Sequence, residues 1–513
     1  MSADPHLAVT TTTESPTRSK ARLTALPGRL LGALPREGAF WVLVAAGAPK
    51  AVGPIVTIGL RRFLGPGASG IYDLAATPYN FLNNFRNFGT GPALVYERVV
   101  SRQIVNTAWT LNMIFSVLVT LVAQLIAHPV ALYYHHPEVE GVFRVLSIAY
   151  VFASITSVHS FLLMRDFDFR ARSIPAIGQV IVAGDIAVVF AIWGFGVGAL
   201  VGRELTSVIM GAILLFAVYP YRPSPQFIPS IAWKLFRYGF WIGMGLTVLY
   251  MSQNVDVFIG GNVIHSASDI GFYTTSWKLA FIAASVFTLV ASSMVFPSLS
   301  RLQDNFELLQ RTLLGAIRQM GLIMFPAAAL LASVAPVLIV PVLGEKYAPY
   351  RESFLVLSLL AVYAGNRTML SVFFEAYKSI GKPEIVWIYN TIKLAVMAPA
   401  MYFGAKHGVL GLASTYIPIQ LIEFPAALLL ARRVLKVGPR AVWRAASVPV
   451  IATLTMAAAT IGLELLLTRG LSLGDTLTLF ACLPVGAFVY IACLFVLDRR
   501  IFGEGLKVLT RGF

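Results

Sequence analysis

The chain has 513 residues, of which 57% are hydrophobic and only 12% charged, with a mean hydropathy of +0.75. A soluble chain of this length carries about a quarter charged residues and divides into several domains, so the composition excludes that class. The formal charge of +16 does not indicate nucleic acid, because the Lys and Arg are scattered through short loops and form no contiguous basic surface.

Residues 1–37, with "TTTTESPTRSKARL", are polar and rich in Thr, Ser, Pro and Arg, and predict a disordered cytoplasmic tail. Apolar runs of about 20 residues follow, each long enough to cross ~30 Å of hydrocarbon. Six fall near 38–60, 73–96, 107–128, 142–164, 174–193 and 197–219. Six more fall near 239–263, 272–297, 318–343, 352–376, 384–404 and 407–431. Two others, near 448–468 and 475–497, precede a C-terminal tail at 498–513. The expectation is an all-α polytopic membrane protein of about 14 transmembrane helices.

Six helices return a chain to its starting side, so a duplicated six-helix unit gives two lobes of one orientation. Three echoes suggest such a unit: "FW" at 40–41 and 240–241, "GASGIYDLA" at 67–75 and "SASDIGFYTTS" at 266–276, "GVGAL" at 196–200 and "GVLGL" at 408–412. Two six-helix lobes, 38–219 and 239–431, in a parallel pseudo-twofold repeat are therefore expected, with the two helices of 448–497 added. About 27 of the 40 Lys and Arg lie on the side that holds both termini, which makes that side cytoplasmic. Cys482 and Cys493 share the last run, separated by about 16 Å of helical rise, and cannot pair. Gly194, Gly198 and Gly202 are spaced for close helix packing. No loop is long enough to form the acceptor domain of a membrane glycosyltransferase. No catalytic motif or spaced metal-ligand set is present, so neither an enzyme nor a metal site is expected.

The second run contains "NFLNNFRNFG" (80–89). Asn80, Asn83, Asn84 and Asn87 stand at i, i+3, i+4 and i+7, one face of a helix, with Arg86 on its flank. Asparagines can simply hydrogen-bond neighbouring helices. A cation at mid-bilayer costs ~3 kcal/mol, which suits it to a wet or anionic cavity. Lys50 lies between Pro49 and Pro54 in the first run, Lys278 follows "YTTSW" in the eighth, and Lys393 is in the eleventh. Lys278 is close enough to a span end to snorkel. Together these residues describe a cavity for a phosphate-bearing substrate, since Lys and Arg bind phosphate oxygens. Asp185 and Asp256 are candidates for coupling to H+ or Na+, and equally for salt bridges to these cations.

Three stretches resemble one family. "RRFLGPGASGIYDLAATPYNFLNNFRNFGTGPALVYER" (61–98) is similar to the LG-x-x-x-x-G-x-Y-x-LA…G-x-G-x-ALV signature of Wzx-type polysaccharide flippases, a branch of the multidrug/oligosaccharidyl-lipid/polysaccharide exporters. Residues 254–305 resemble that family's seventh and eighth helices, and "LIVPVLGEKYAPYRESFLVLSLLAVY" (338–363), which contains a "GEKYAP" turn, resembles the family as well. The resemblance implies an inner-membrane flippase moving undecaprenyl-pyrophosphate-linked oligosaccharide to the periplasmic leaflet by alternating access. The glycan would serve exopolysaccharide, capsule or O-antigen synthesis. A monomer is expected, and the resemblance implies that it cooperates with a polymerase and a chain-length regulator. Related lipid II flippases hold pyrophosphate with cations in the first, second and eighth helices, where Lys50, Arg86 and Lys278 fall here. An ion-coupled drug or metabolite exporter and a lipid II flippase are the alternatives.

Overall fold

Prolines mark where several helices begin. Pro66, Pro229, Pro383 and Pro439 each stand in a first turn, where the missing N–H removes no helical hydrogen bond. Ser101 and Asn305 cap two others, accepting from Ile104 N (3.3 Å) and Leu308 N (3.1 Å). The computed structural model describes residues 52–87, 90–96, 100–165, 169–290 and 295–498, and these residues contain helices and no strand. Lys50 and most of both expected tails lie outside the described residues.

The first half comprises α1 (52–64), α2 (Pro66–Arg86), the short α3 (Thr90–Tyr96), α4 (Arg102–Tyr134), α5 (Glu138–Ile155), α6 (Ser157–Arg165), α7 (Phe169–Ile192) and α8 (Val197–Val218). The second half begins with α9 (Pro229–Val263), α10 (Ala267–Val290), α11 (Phe296–Ser300) and α12 (Phe306–Leu338). It continues through α13 (Phe354–Ser379), α14 (Pro383–Ala405), α15 (Gly408–Ser414) and α16 (Tyr416–Val434). Two final helices are α17 (Pro439–Leu465) and α18 (Asp475–Leu497).

Among the described residues, ten helical stretches are long and apolar enough to cross a membrane, or eleven if α5 and α6, bent by 44°, form one span. The protein is a multi-pass membrane protein. The expected second span, 73–96, is divided differently in the structure. Gly65, at a φ of 84°, turns the chain so that Pro66 starts α2 early, and the helix stops at Arg86. Arg86 therefore occupies a last helical turn, where a cation complements the helix dipole, and not mid-helix.

Small residues let these helices approach closely. Ala123, Ala127 and Ala131 form a fully or nearly fully buried stripe on α4, which packs along α5. α7 pairs with α8, α12 with α13 and α17, and α17 with α18. A Cβ on Gly202 would meet the Phe190 ring at 2.7 Å, so this glycine does sit at a helix contact. Gly194, with a φ of 81°, belongs to the α7–α8 turn and not to that packing face. Cys482 is buried and Cys493 half-buried, and both are free thiols.

Candidate functional site where the two halves meet

α2 is the helix around which the halves assemble: it packs on α4, α5 and α8 of the first half and on α9 and α10 of the second. Tyr150 of α5 donates to the Tyr79 carbonyl (2.6 Å), and Tyr250 of α9 donates to the Thr77 carbonyl (2.9 Å). These two bonds, one from each half, hold α2 on either side of Pro78.

At its N-terminal end α2 meets α10 backbone to backbone. A Cβ on Gly70 would lie 1.7 Å from the Ala267 carbonyl oxygen, and one on Gly271 would lie 1.8 Å from that of Pro66. No side chain fits at either place. The contact is reciprocal: Gly70 and Gly271 occupy matching positions in the echoed segments "GASGIYDLA" and "SASDIGFYTTS", and Pro66, just before the first segment, matches Ala267 in the second. A pseudo-twofold relation between the two segments produces this exchange, in which each contacts the partner of the other.

A charged cluster lies beside this crossing. Arg61, at the end of α1, is fully buried, and its Nη2 donates to both Oδ1 and Oδ2 of Asp73 at 2.7 Å. Its Nη1 donates to Thr275 Oγ1 (2.8 Å) and Thr274 Oγ1 (3.3 Å) on α10. Lys278 Nζ lies 2.6 Å from Asp73 Oδ1, and the Thr274 hydroxyl donates to Oδ2. Two cations thus share one carboxylate, and the Lys278–Asp73 pair joins the halves. The same end is reinforced by the segment between α12 and α13. Lys346 Nζ donates to the Phe63 carbonyl (2.6 Å), Arg62 reaches the carbonyls of Pro341 and Val342, and the buried Tyr347 hydroxyl lies 3.3 Å from Thr275 Oγ1.

Away from this end the polar face of α2 continues. Asp73, Thr77, Asn80, Asn84 and Asn87 lie on one helical face, so the asparagine stripe prolongs the line that begins at Asp73. Asn80 is exposed, and Asn83, Asn84 and Asn87 are half-exposed. Asn84 spends its amide weakly on its own backbone, at 3.3 Å from the carbonyls of Asn80 and Phe81. Arg86 Nε and Nη1 and Asn87 Oδ1 are buried without a hydrogen-bond partner among the described residues. Phe81, on the flank of that face, packs edge-on against Phe258 of α9.

The profile of a family described as "polysaccharide biosynthesis protein" matches residues 60–352, which is more than half of the chain and includes this entire cluster. The chain belongs to that family. Its similar proteins include the lipopolysaccharide biosynthesis protein WzxC of Escherichia coli (strain K12), 21% identical over 75% of this chain and 78% of that one. The succinoglycan biosynthesis transport protein ExoT of Rhizobium meliloti (strain 1021) is 24% identical over 68% and 70%. The teichuronic acid biosynthesis protein TuaB of Bacillus subtilis (strain 168) is 21% identical over 83% and 87%. In fold, the chain is similar to the lipid II flippase MurJ in an inward closed conformation, with a TM-score of 0.70 at 13% identity, covering 90% of this chain and 99% of that one. A multidrug resistance MATE family transporter gives 0.63 at 14% identity, covering 78% and 98%.

The other expected site residues of this polysaccharide biosynthesis protein are placed unequally. Lys278 does not snorkel; it is bound to Asp73. Lys393 is nine-tenths buried and pairs with Glu423 (2.6 Å) while donating to the Tyr363 hydroxyl (2.9 Å), so its charge is matched within the second half. Asp256 is almost fully buried and accepts from Tyr273 OH (2.6 Å), Tyr416 OH (3.1 Å) and Val257 N (2.9 Å), with no cation among these donors. Asp185 is exposed on α7.

Arg61 and Asp73 were not singled out in the sequence. The signal available for them was the echoed segment itself, in which Asp73 stands where the second copy has Thr274. Charge on one side and hydroxyl on the other is the complementarity that the contact uses.

Proposed function

We propose that this polysaccharide biosynthesis protein is a flippase. It carries an undecaprenyl-pyrophosphate-linked oligosaccharide from the cytoplasmic to the periplasmic leaflet of the inner membrane by alternating access. The glycan supplies exopolysaccharide, capsule or O-antigen synthesis. The carrying observation is the surplus positive charge between the halves: Arg61 and Lys278 share the single carboxylate of Asp73 at the head of the asparagine-lined face. A pyrophosphate can balance that surplus, whereas a cationic drug cannot.

On this reading both termini are cytoplasmic, and the α1–α2 turn faces the periplasm. Asn80, Asn83, Asn84 and Asn87 line the glycan path, with Arg86 at its cytoplasmic end. Coupling to H+ or Na+ is assigned to Asp256. A polysaccharide polymerase and a chain-length regulator would use the delivered product.

The test is mass spectrometry of lipid-linked glycans in a strain lacking the gene, complemented with wild type or Arg86→Ala. Accumulation of a pyrophosphate-linked oligosaccharide, relieved by wild type and not by the variant, is expected. A normal lipid-glycan pool together with altered sensitivity to cationic drugs would replace the flippase with an exporter.

A further inference from the structure

We infer that Lys278 is a two-position switch, held by Asp73 when the site is empty and transferred to the substrate's phosphate groups when it is occupied. Binding thereby weakens the latch that closes the periplasmic end. The inference rests on the flippase reading and specifies how that site is regulated.

The cluster contains two cations and one anion, so it takes up an additional anion without leaving a carboxylate unpaired. Its two cations differ in reach. The Arg61 side chain is 0% exposed and makes four hydrogen bonds, whereas that of Lys278 is 35% exposed and makes one, to Asp73 Oδ1. Lys278 is therefore the cation that an entering phosphate meets. Its ammonium has three donors on a flexible stem, which suits exchange between acceptors better than a planar guanidinium does.

The bonds that cross between halves decide the consequence. Arg61 and Asp73 both belong to the first half, so their ion pair survives whether the halves are together or apart. Across the junction run Lys278 to Asp73, Thr274 to Asp73, and Arg61 to Thr274 and Thr275. Only the first of these joins opposite charges. When a phosphate draws Lys278 away, the junction at this cluster loses its one ion pair and keeps only hydrogen bonds in which a single partner is charged. Binding energy is thereby directed to loosening the α2–α10 crossing. Linkage requires the converse as well: loosening the crossing must favour binding.

The experiment uses Gly67→Cys/Ser268→Cys in a background with Cys482→Ala and Cys493→Ser. A Cβ on Gly67 lies 3.2 Å from Ser268 Oγ, so the two thiols report closure of the crossing. Oxidative cross-linking is measured in lipid nanodiscs with undecaprenyl pyrophosphate, with inorganic pyrophosphate, or with neither. Affinity for each ligand is measured separately by thermal shift.

Undecaprenyl pyrophosphate is expected to slow cross-linking about fivefold or more, the lower range of an ordinary coupling. Lys278→Gln is expected to abolish that effect, and Asp73→Asn to bind the lipid more tightly than wild type. A merely structural role for Asp73 would not raise affinity. Should Asp73→Asn fail to fold, Thr275→Val weakens the junction without touching the ion pair and must shift affinity in the same direction. A response to inorganic pyrophosphate as well identifies the phosphate groups alone as the trigger; a response to the lipid alone adds a requirement for its chain. Binding with unchanged cross-linking, or slowing that persists in Lys278→Gln, overturns the switch and leaves the flippase reading intact. Absence of binding to wild type overturns both.

Discussion

Gly70 and Gly271 face each other across the α2–α10 crossing so closely that neither position has room for a methyl group, each being blocked by a main-chain carbonyl of the other helix. A flexible side chain can yield to an added methyl, but a helix backbone yields only if the whole element moves. The crossing thus admits no larger residue at either glycine, and parting of the halves would register there.

Gly70→Ala and Gly271→Ala are each expected to separate the helices and destabilise the closed arrangement by about 1–3 kcal/mol. Gly59→Ala, on α1 with nothing within 4 Å of the added Cβ, is the control and is expected to be neutral. Thermal unfolding in detergent, together with cross-linking of Gly67→Cys/Ser268→Cys, distinguishes them. Equal behaviour of all three variants would show that the crossing bears no load.

Arg61→Met leaves Asp73 with Lys278 as its one ionic partner and removes the donors to Thr274 and Thr275. Because Lys278 still compensates Asp73, the loss falls short of the ~3–5 kcal/mol that a stranded buried charge costs, and a modestly lowered unfolding temperature is expected. Arg61→Lys is expected to recover only part of the loss, because one ammonium cannot span the carboxylate and both threonines. Full recovery would mean that charge alone matters at this position.

Lys393 and Glu423 are expected to behave as a structural unit. Lys393→Met and Glu423→Leu should each cost about 3 kcal/mol by stranding the partner, while the double variant costs less than the sum. Glycan transport in complemented cells should follow the same order. If the double variant is stable yet transports nothing, Lys393 binds substrate directly.

Asp256→Asn is expected to remove the response of transport to an imposed proton gradient in proteoliposomes, since this buried acid is held by three neutral donors. Tyr273→Phe and Tyr416→Phe each delete one of those donors, worth about 1.5–3 kcal/mol to a carboxylate, and should alter the response without abolishing it. Asp185→Asn, at an exposed position on α7, is expected to leave the response in place. A gradient response preserved in Asp256→Asn but lost in Asp185→Asn would reverse the assignment.

Periodicity made part of this protein readable from the chain alone. Hydrophobic runs identify a membrane protein because the bilayer sets their length, and Asn80, Asn83, Asn84 and Asn87 share a face because a helix repeats every 3.6 residues. Both rules are local. The start of α2 was less legible, since Gly65 and Pro66 read as a loop until the glycine's positive φ shows the turn that precedes the helix.

Pairing belongs to the tertiary structure. Lys278, Lys393 and Arg86 are alike in sequence, each a lone cation in an apolar run. Lys278 finds a carboxylate 205 residues away, Lys393 finds Glu423 on a neighbouring helix, and two buried nitrogens of Arg86 have no partner among the described residues. Which of these charges is neutralised depends on which helices touch, and nothing in the periodicity of one helix specifies its neighbour. The sequence determined that this protein would carry charge into the membrane. The packing of α2 against α10 decided where that charge is left unbalanced, because a backbone crossing without side chains brings Lys278 within reach of Asp73, which Arg61 already holds within the first half.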